Sequence, residues 1–255
     1  MEVFLNPDAW IALLTLTFLE IVLGIDNIIF ISIATGKLPP EKRKKATKLG
    51  MFLAMFMRIA LLFGINLLIQ MKEPWFHIEL SWFSAGITGQ SIILLLGGLF
   101  LIYKSTNEIR EKVDEKGEEE KDIKEAATKS FQNVILQIIM IDLVFSFDSI
   151  LTAVGMTNGV EGALYIMITA VVISVFIMMQ FAVPVGSFVN KHPSIQILGL
   201  AFLILIGMML LTESAHLSDA LIFGNHVTPL PKGYLYFAIT FSLVVEMINM
   251  KIKKK

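Results

Sequence analysis

The chain of 255 residues contains no cysteine, which excludes disulfides, thiolate metal sites and cysteine nucleophiles. Histidine is scarce, with four in all, and none falls inside an apolar run, so imidazole ligation of zinc or copper is disfavoured there. No dinucleotide-binding, phosphate-loop or nucleic-acid signature is found, so no organic cofactor and no nucleic-acid partner is expected. A cleavable leader is not expected either. Met1 to Asp8 carries no basic residue, and the apolar run that follows is too long and holds two acids. What fills the chain is apolar side chain: 55% of residues are hydrophobic and the mean hydropathy is +0.73, values of an integral membrane protein.

A spanning helix needs about 20 mostly apolar residues. Suitable runs lie near 10–35, 49–70, 87–103, 131–156, 162–188, 194–213 and 233–250. Their length argues for helices rather than barrel strands. The expected fold is therefore all-α and polytopic, with seven transmembrane helices. The basic residues set its orientation. Six lie at 37–48, seven at 104–130, one at Lys191 and four in the tail from Lys251, all on one side of a seven-span chain. Only Lys72 and Lys232 lie opposite, with Arg58 inside a span. The amino terminus is thus expected outside and the carboxyl tail in the cytoplasm. Segment 104–130, with Glu118, Glu119 and Glu120 amid lysines, reads as a solvated cytoplasmic loop. Trp75, His77 and Trp82 read as an interfacial segment.

Against this apolar background the carboxylates stand out. Glu20 is followed by five residues, then Asp26 and Asn27; Asp142 is followed by five residues, then Asp148 and Ser149, 122 positions later. An ionisable group at mid-membrane costs roughly 2.5–3.5 kcal/mol even on the gentler insertion scale, so four of them in a repeated pattern point to a use for the charge. The same alignment pairs Thr15 with Gln137, and Gly98 echoes Gly207. The chain accordingly divides into a three-helix repeat at 1–103, the charged loop at 104–130, a second repeat at 131–213, and an outer loop, seventh helix and basic tail at 214–255. Three spans being odd, the second repeat enters from the opposite side, and inverted repeats carry their ligand sites near the midplane.

Within each span the acids are six apart, about 9 Å along a helix and not on one face. Either they form two layers of a pathway or the helix is locally broken; a break near Gly24 and Ser146 is the expectation. Glu20, Asp26, Asn27, Asp142, Ser146, Asp148 and Ser149 form an all-oxygen donor set suited to magnesium, calcium or manganese. The fourteen methionines are scattered among leucine and isoleucine and read as packing. Acids outnumber buried bases, so metal–proton exchange is the expected coupling. Arg58 reads as a counter-ion to one of the acids or as a tethered cation that holds the empty site until metal displaces it. Glu213, His216, Asp219 and His226 offer a second, weaker metal station.

At these residues the chain resembles the TerC family of integral membrane proteins. The resemblance is carried by Phe18-Leu19-Glu20 with Leu23-Gly24-Ile25-Asp26-Asn27, by Ile141-Asp142 with Phe145-Ser146-Phe147-Asp148-Ser149, and by Gly97-Gly98-Leu99-Phe100-Leu101-Ile102-Tyr103-Lys104 and Gly233-Tyr234-Leu235-Tyr236-Phe237-Ala238. It implies seven spans, a bacterial plasma-membrane location, manganese export, and metal binding by the acids of the first and fourth spans. Two other readings compete. One is a non-transporting membrane partner that assists metallation or secretion of exported proteins through the charged loop; deleting 106–128 would leave a carrier active and disable such a partner. The other is an intramembrane aspartyl protease, for which Ile141-Asp142 lacks the tyrosine and Leu23-Gly24-Ile25-Asp26 the first glycine. No enzymatic activity is expected.

Overall fold

The computed structural model describes residues 7–114, 131–157 and 159–252; the Asp26 side chain lies outside what is described, as does most of the charged loop at 104–130. The helices are α1 (Pro7–Gly36), α2 (Pro40–Phe63), α3 (Ile65–Gln70), α4 (Gly89–Asp114), α5 (Phe131–Met156), α6 (Ala163–Lys191), α7 (Pro193–Leu217) and α8 (Lys232–Ile252). Among the described residues, all of these helices but the short α3 are long and apolar enough to cross a membrane, seven in total. The chain is a multi-pass, all-α membrane protein.

Two boundaries depart from the hydropathy reading for physical reasons. The second run is divided: α2 starts nine residues earlier, at Pro40, whose missing N–H suits the first helical turn, and ends where the N–H of Gly64 caps the carbonyl of Ala60. The expected break in the acid-bearing spans is absent. Both α1 and α5 run uninterrupted through Gly24 and Ser146. Gly24 serves close approach instead, since a Cβ there would lie 2.0 Å from the Met178 sulfur.

Four strands were not foreseen. β1 (Pro74–Glu79), β2 (Phe83–Thr88), β3 (Leu221–Ile222) and β4 (Asn225–His226) form one antiparallel sheet in that order. In β1 and β2, Phe76 lies opposite Ile87 and Ile78 opposite Ala85, with Trp75 at an irregularity between Pro74 and Phe76; aromatic and β-branched residues such as Phe76, Ile78 and Ile87 suit strands.

The chain divides into two compact units: 1–66 with 120–191, and 67–119 with 192–255. In the first, α1 packs on α6 and α2 on α5. In the second, α4 packs on α7. An exchange of the first three spans with the next three would turn the α1–α6 contact into the α5–α2 contact, but the units cut across the expected repeats at 1–103 and 131–213. The α4–α7 contact is backbone on backbone. A Cβ on Gly98 would lie 2.7 Å from the Gly207 carbonyl oxygen, and one on Gly207 2.9 Å from that of Gly98. The start of α4 is fixed by a reciprocal cap: the Ser91 N–H donates to Thr88 Oγ1 at 3.0 Å and the Thr88 N–H to Ser91 Oγ at 3.1 Å.

Candidate functional site

The first unit holds the acids. On α1 the buried Thr17, Glu20, Gly24, Asn27 and Ile31 recur at helical spacing and share a face. Thr47, Met51, Ala54, Arg58 and Leu62 do the same on α2, and Ile138, Asp142, Ser146, Ser149 and Ala153 on α5. Each stripe holds one charged residue, Glu20 on α1, Arg58 on α2 and Asp142 on α5. The three meet.

Their meeting point is the Arg58 guanidinium. Nη1 donates to Glu20 Oε2 at 2.5 Å, Nη2 to Asp142 Oδ1 at 2.6 Å, and Nε to Asp142 Oδ2 at 3.0 Å. Asp142 is thus gripped by a two-pronged fork, the geometry that suits guanidinium and carboxylate best. Two more donors reach it: Ser146 Oγ at 3.0 Å, one turn along α5, and Asn27 Nδ2 at 3.3 Å from α1. Glu20, Asn27, Arg58 and Asp142 are all at most 6% exposed. Burial in a membrane span makes such a network expensive unless every charge is matched, and here two carboxylates face one guanidinium.

Among the described groups bonded around Arg58 and Asp142, one acceptor oxygen has no partner. Asn27 Oδ1 is buried and accepts nothing, although its amide nitrogen is committed to Asp142. Beside it lies a cavity of about 10 Å³, lined by Gly24, Asn27, Ile31, Met51, Arg58, Asp142 and Met178 among others. That is room for one water molecule or one small ion. The Asn27 amide and the Asp142 carboxylate line that space beside Arg58, and the Glu20 carboxylate and Ser146 hydroxyl join the same hydrogen-bonded cluster through Arg58 and Asp142; hard oxygen donors of this kind suit a hard cation.

The remaining candidates are placed as follows. Ser149 is buried on the Asp142 face and donates to the Ser146 carbonyl at 3.3 Å. Asp148 is half-buried, six residues from Asp142 and hence about 120° away round α5. Among the described side chains, Glu20 and Asp142 share the centre and Asp148 does not. Among the described residues, no three His, Asp or Glu side chains come together as a ready metal cage. Of the second station, His226 Nδ1 and Asp219 Oδ1 pair at 3.0 Å, both exposed, without His216 or Glu213 completing a group.

Residue-by-residue scanning overlooked Met51 and Met178, which wall the cavity. The signal lay in periodicity: Met51, Ala54 and Arg58 are spaced for one face of α2.

The profile of the integral membrane protein TerC family matches residues 5–255. The chain belongs to the TerC family. This TerC-family protein is 47% identical over 250 residues to the UPF0053 inner membrane protein YgdQ of Escherichia coli strain K12, covering 98% of this chain and 96% of that one. It is 45% identical over 249 residues to a UPF0053 protein of Haemophilus influenzae, with the same coverages. The UPF0053 inner membrane protein YoaE of Escherichia coli is 42% identical over 249 residues, which make up only 44% of its length. No solved structure matches the chain.

Proposed function

We propose that this TerC-family protein is a divalent-cation transporter of the bacterial plasma membrane, exporting manganese, with Glu20, Asn27 and Asp142 at the centre of its carrier site. The observation that carries the reading is the Arg58 clamp: a buried cation shared by two membrane-embedded carboxylates, beside an ion-sized cavity with an unpartnered amide oxygen. The donors are all hard oxygens, which favours manganese, magnesium or calcium over copper. Manganese and the outward direction rest on the family resemblance.

Arg58 then acts as a built-in competitor. Two carboxylates with one guanidinium carry one net negative charge; the same two with a divalent ion are neutral. Cargo and guanidinium contend for the same oxygens, so loading requires Arg58 to swing away and unloading is assisted by its return. Protons serve as the exchanged ion. Asp148 and Ser149, nearly two turns beyond Asp142 along α5, form a second layer on the ion's route.

Cells making wild-type protein should hold less manganese than cells making Asp142→Asn or Glu20→Gln, measured by elemental analysis at matched expression. The site assignment is wrong if both variants lower cellular manganese as well as wild type does. In sealed vesicles, manganese flux that ignores an imposed pH gradient would remove the proton coupling and leave the site intact.

A further inference from the structure

At the end of the first unit opposite Pro7, the C-termini of α1 and α6 meet the N-terminus of α2. A cavity of about 320 Å³ opens there, within the range of small-molecule sites. Its walls carry Arg43, Lys44 and Lys191, with Thr35, Thr47 and Asn190 as hydrogen-bonding neighbours. A second, shallower groove adjoins it and shares Lys44. There Lys44, Lys45 and Lys48 stand over the apolar side chains of Leu49, Phe52 and Met179, with Glu41 as the lone acid.

Three features of this pair of hollows need an occupant. Among the described residues, Lys44, Lys45, Lys48 and Lys191 make no ion pair, and Arg43 spends only its Nε, on the Leu38 carbonyl at 2.7 Å. The cations also crowd the first turns of α2, where the helix dipole favours negative charge. Finally, the hollow walled by Arg43, Lys44 and Lys191 runs into a more apolar one by way of a single lysine. The positive-inside bias explains how many lysines lie on this side but does not require them to ring a cavity that continues into an apolar strip.

We propose that this paired cavity binds an anionic phospholipid, the phosphate-bearing head held by Arg43, Lys44 and Lys191 and an acyl chain laid along Leu49, Phe52 and Met179. An amphiphile with a negative head and an apolar tail matches both hollows at once, and lysine stems tolerate such a boundary because their methylenes pack while the ammonium stays polar. A free phosphate would fill only the first. The inference stands apart from the transport reading, since none of these residues belongs to the Arg58 site.

The test uses the full-length protein in detergent, titrated with phosphatidylglycerol or phosphatidylcholine of matched chains and followed by native mass spectrometry. Wild type should retain phosphatidylglycerol at least tenfold better than phosphatidylcholine. Lys44→Gln should weaken that retention about fivefold, the effect of one cation at an anionic surface, and Arg43→Gln with Lys44→Gln and Lys191→Gln should abolish the preference. Phe52→Ser should weaken both lipids, while Lys72→Gln, a charge loss elsewhere, should change nothing. Unaltered preference in the triple variant overturns the proposal. So does displacement of bound lipid by millimolar inorganic phosphate, which would make the hollow a free-anion site. Thermal unfolding of each variant establishes that it is folded.

Discussion

At the residue scale, the donors are distributed unevenly. Asp142 receives four hydrogen bonds, from two nitrogens of Arg58, from Asn27 and from Ser146, whereas Glu20 receives one from Arg58. Truncating one member of a buried ion pair strands its partner, at a cost of about 3–5 kcal/mol. Asp142→Asn is therefore expected to destabilise the protein by that order, and Glu20→Gln by less, as read by thermal or denaturant unfolding in lipid nanodiscs. Replacing the whole network, Glu20→Gln with Arg58→Met and Asp142→Asn, should recover most of the loss, because no uncompensated charge remains buried. A triple variant less stable than Asp142→Asn would show that the network contributes more than charge balance. Half of this was legible beforehand. Acids in an apolar run identify themselves, and Arg58 was the one base at their depth. Which acid Arg58 grips in a fork depends on rotation about three helix axes, which no linear spacing reveals.

At the scale of elements, glycine positions decide how closely helices approach. Gly98 and Gly207 stood out as an echo between the third and sixth spans, and in the structure they face each other across α4 and α7. Small residues substitute for the hydrophobic effect inside a bilayer, where packing rather than water drives association. Gly207→Ala would press a methyl group onto the Gly98 carbonyl and the Ile102 side chain, so separating the helices should cost about 1–3 kcal/mol. Gly155→Ala, whose Cβ would meet nothing within 4 Å, is the control and should be neutral or slightly stabilising. Unfolding of both variants beside wild type measures the difference. Gly24 shows how the same residue type misleads: a glycine two positions before a buried aspartate suggested a helix break, yet it makes room for Met178 while α1 continues. Backbone hydrogen bonds are hard to forgo in lipid, so continuity is the cheaper outcome wherever a neighbour can fill the space. The strands escaped notice for a different reason. β3 and β4 have two residues each, too short for any alternation to register, and they exist by pairing with β2.

For the whole molecule, hydropathy alone was enough to count the spans, because length and apolarity are what a bilayer selects. The pairing of α1 with α6 and of α2 with α5 was not read from the two copies of the acidic motif, nor was the grouping into 1–66 with 120–191 and 67–119 with 192–255. Self-similarity in a chain reports ancestry of segments, whereas compact units report which apolar faces find each other. Neither bears on orientation, for which the distribution of charge gives an expectation. Basic residues cluster at 37–48, 104–130, 191 and 251–255, and only Lys72 and Lys232 lie on the other side. This bias predicts that Phe223, exposed at the turn between β3 and β4, faces outward and that Lys191, exposed at the end of α6, faces the cytoplasm. The absence of native cysteine provides a clean background for single substitutions. In intact spheroplasts, a membrane-impermeant maleimide should label Phe223→Cys and leave Lys191→Cys unlabelled until the membrane is permeabilised. The reverse pattern would invert the chain, and with it the direction in which the Glu20–Arg58–Asp142 site delivers its cargo.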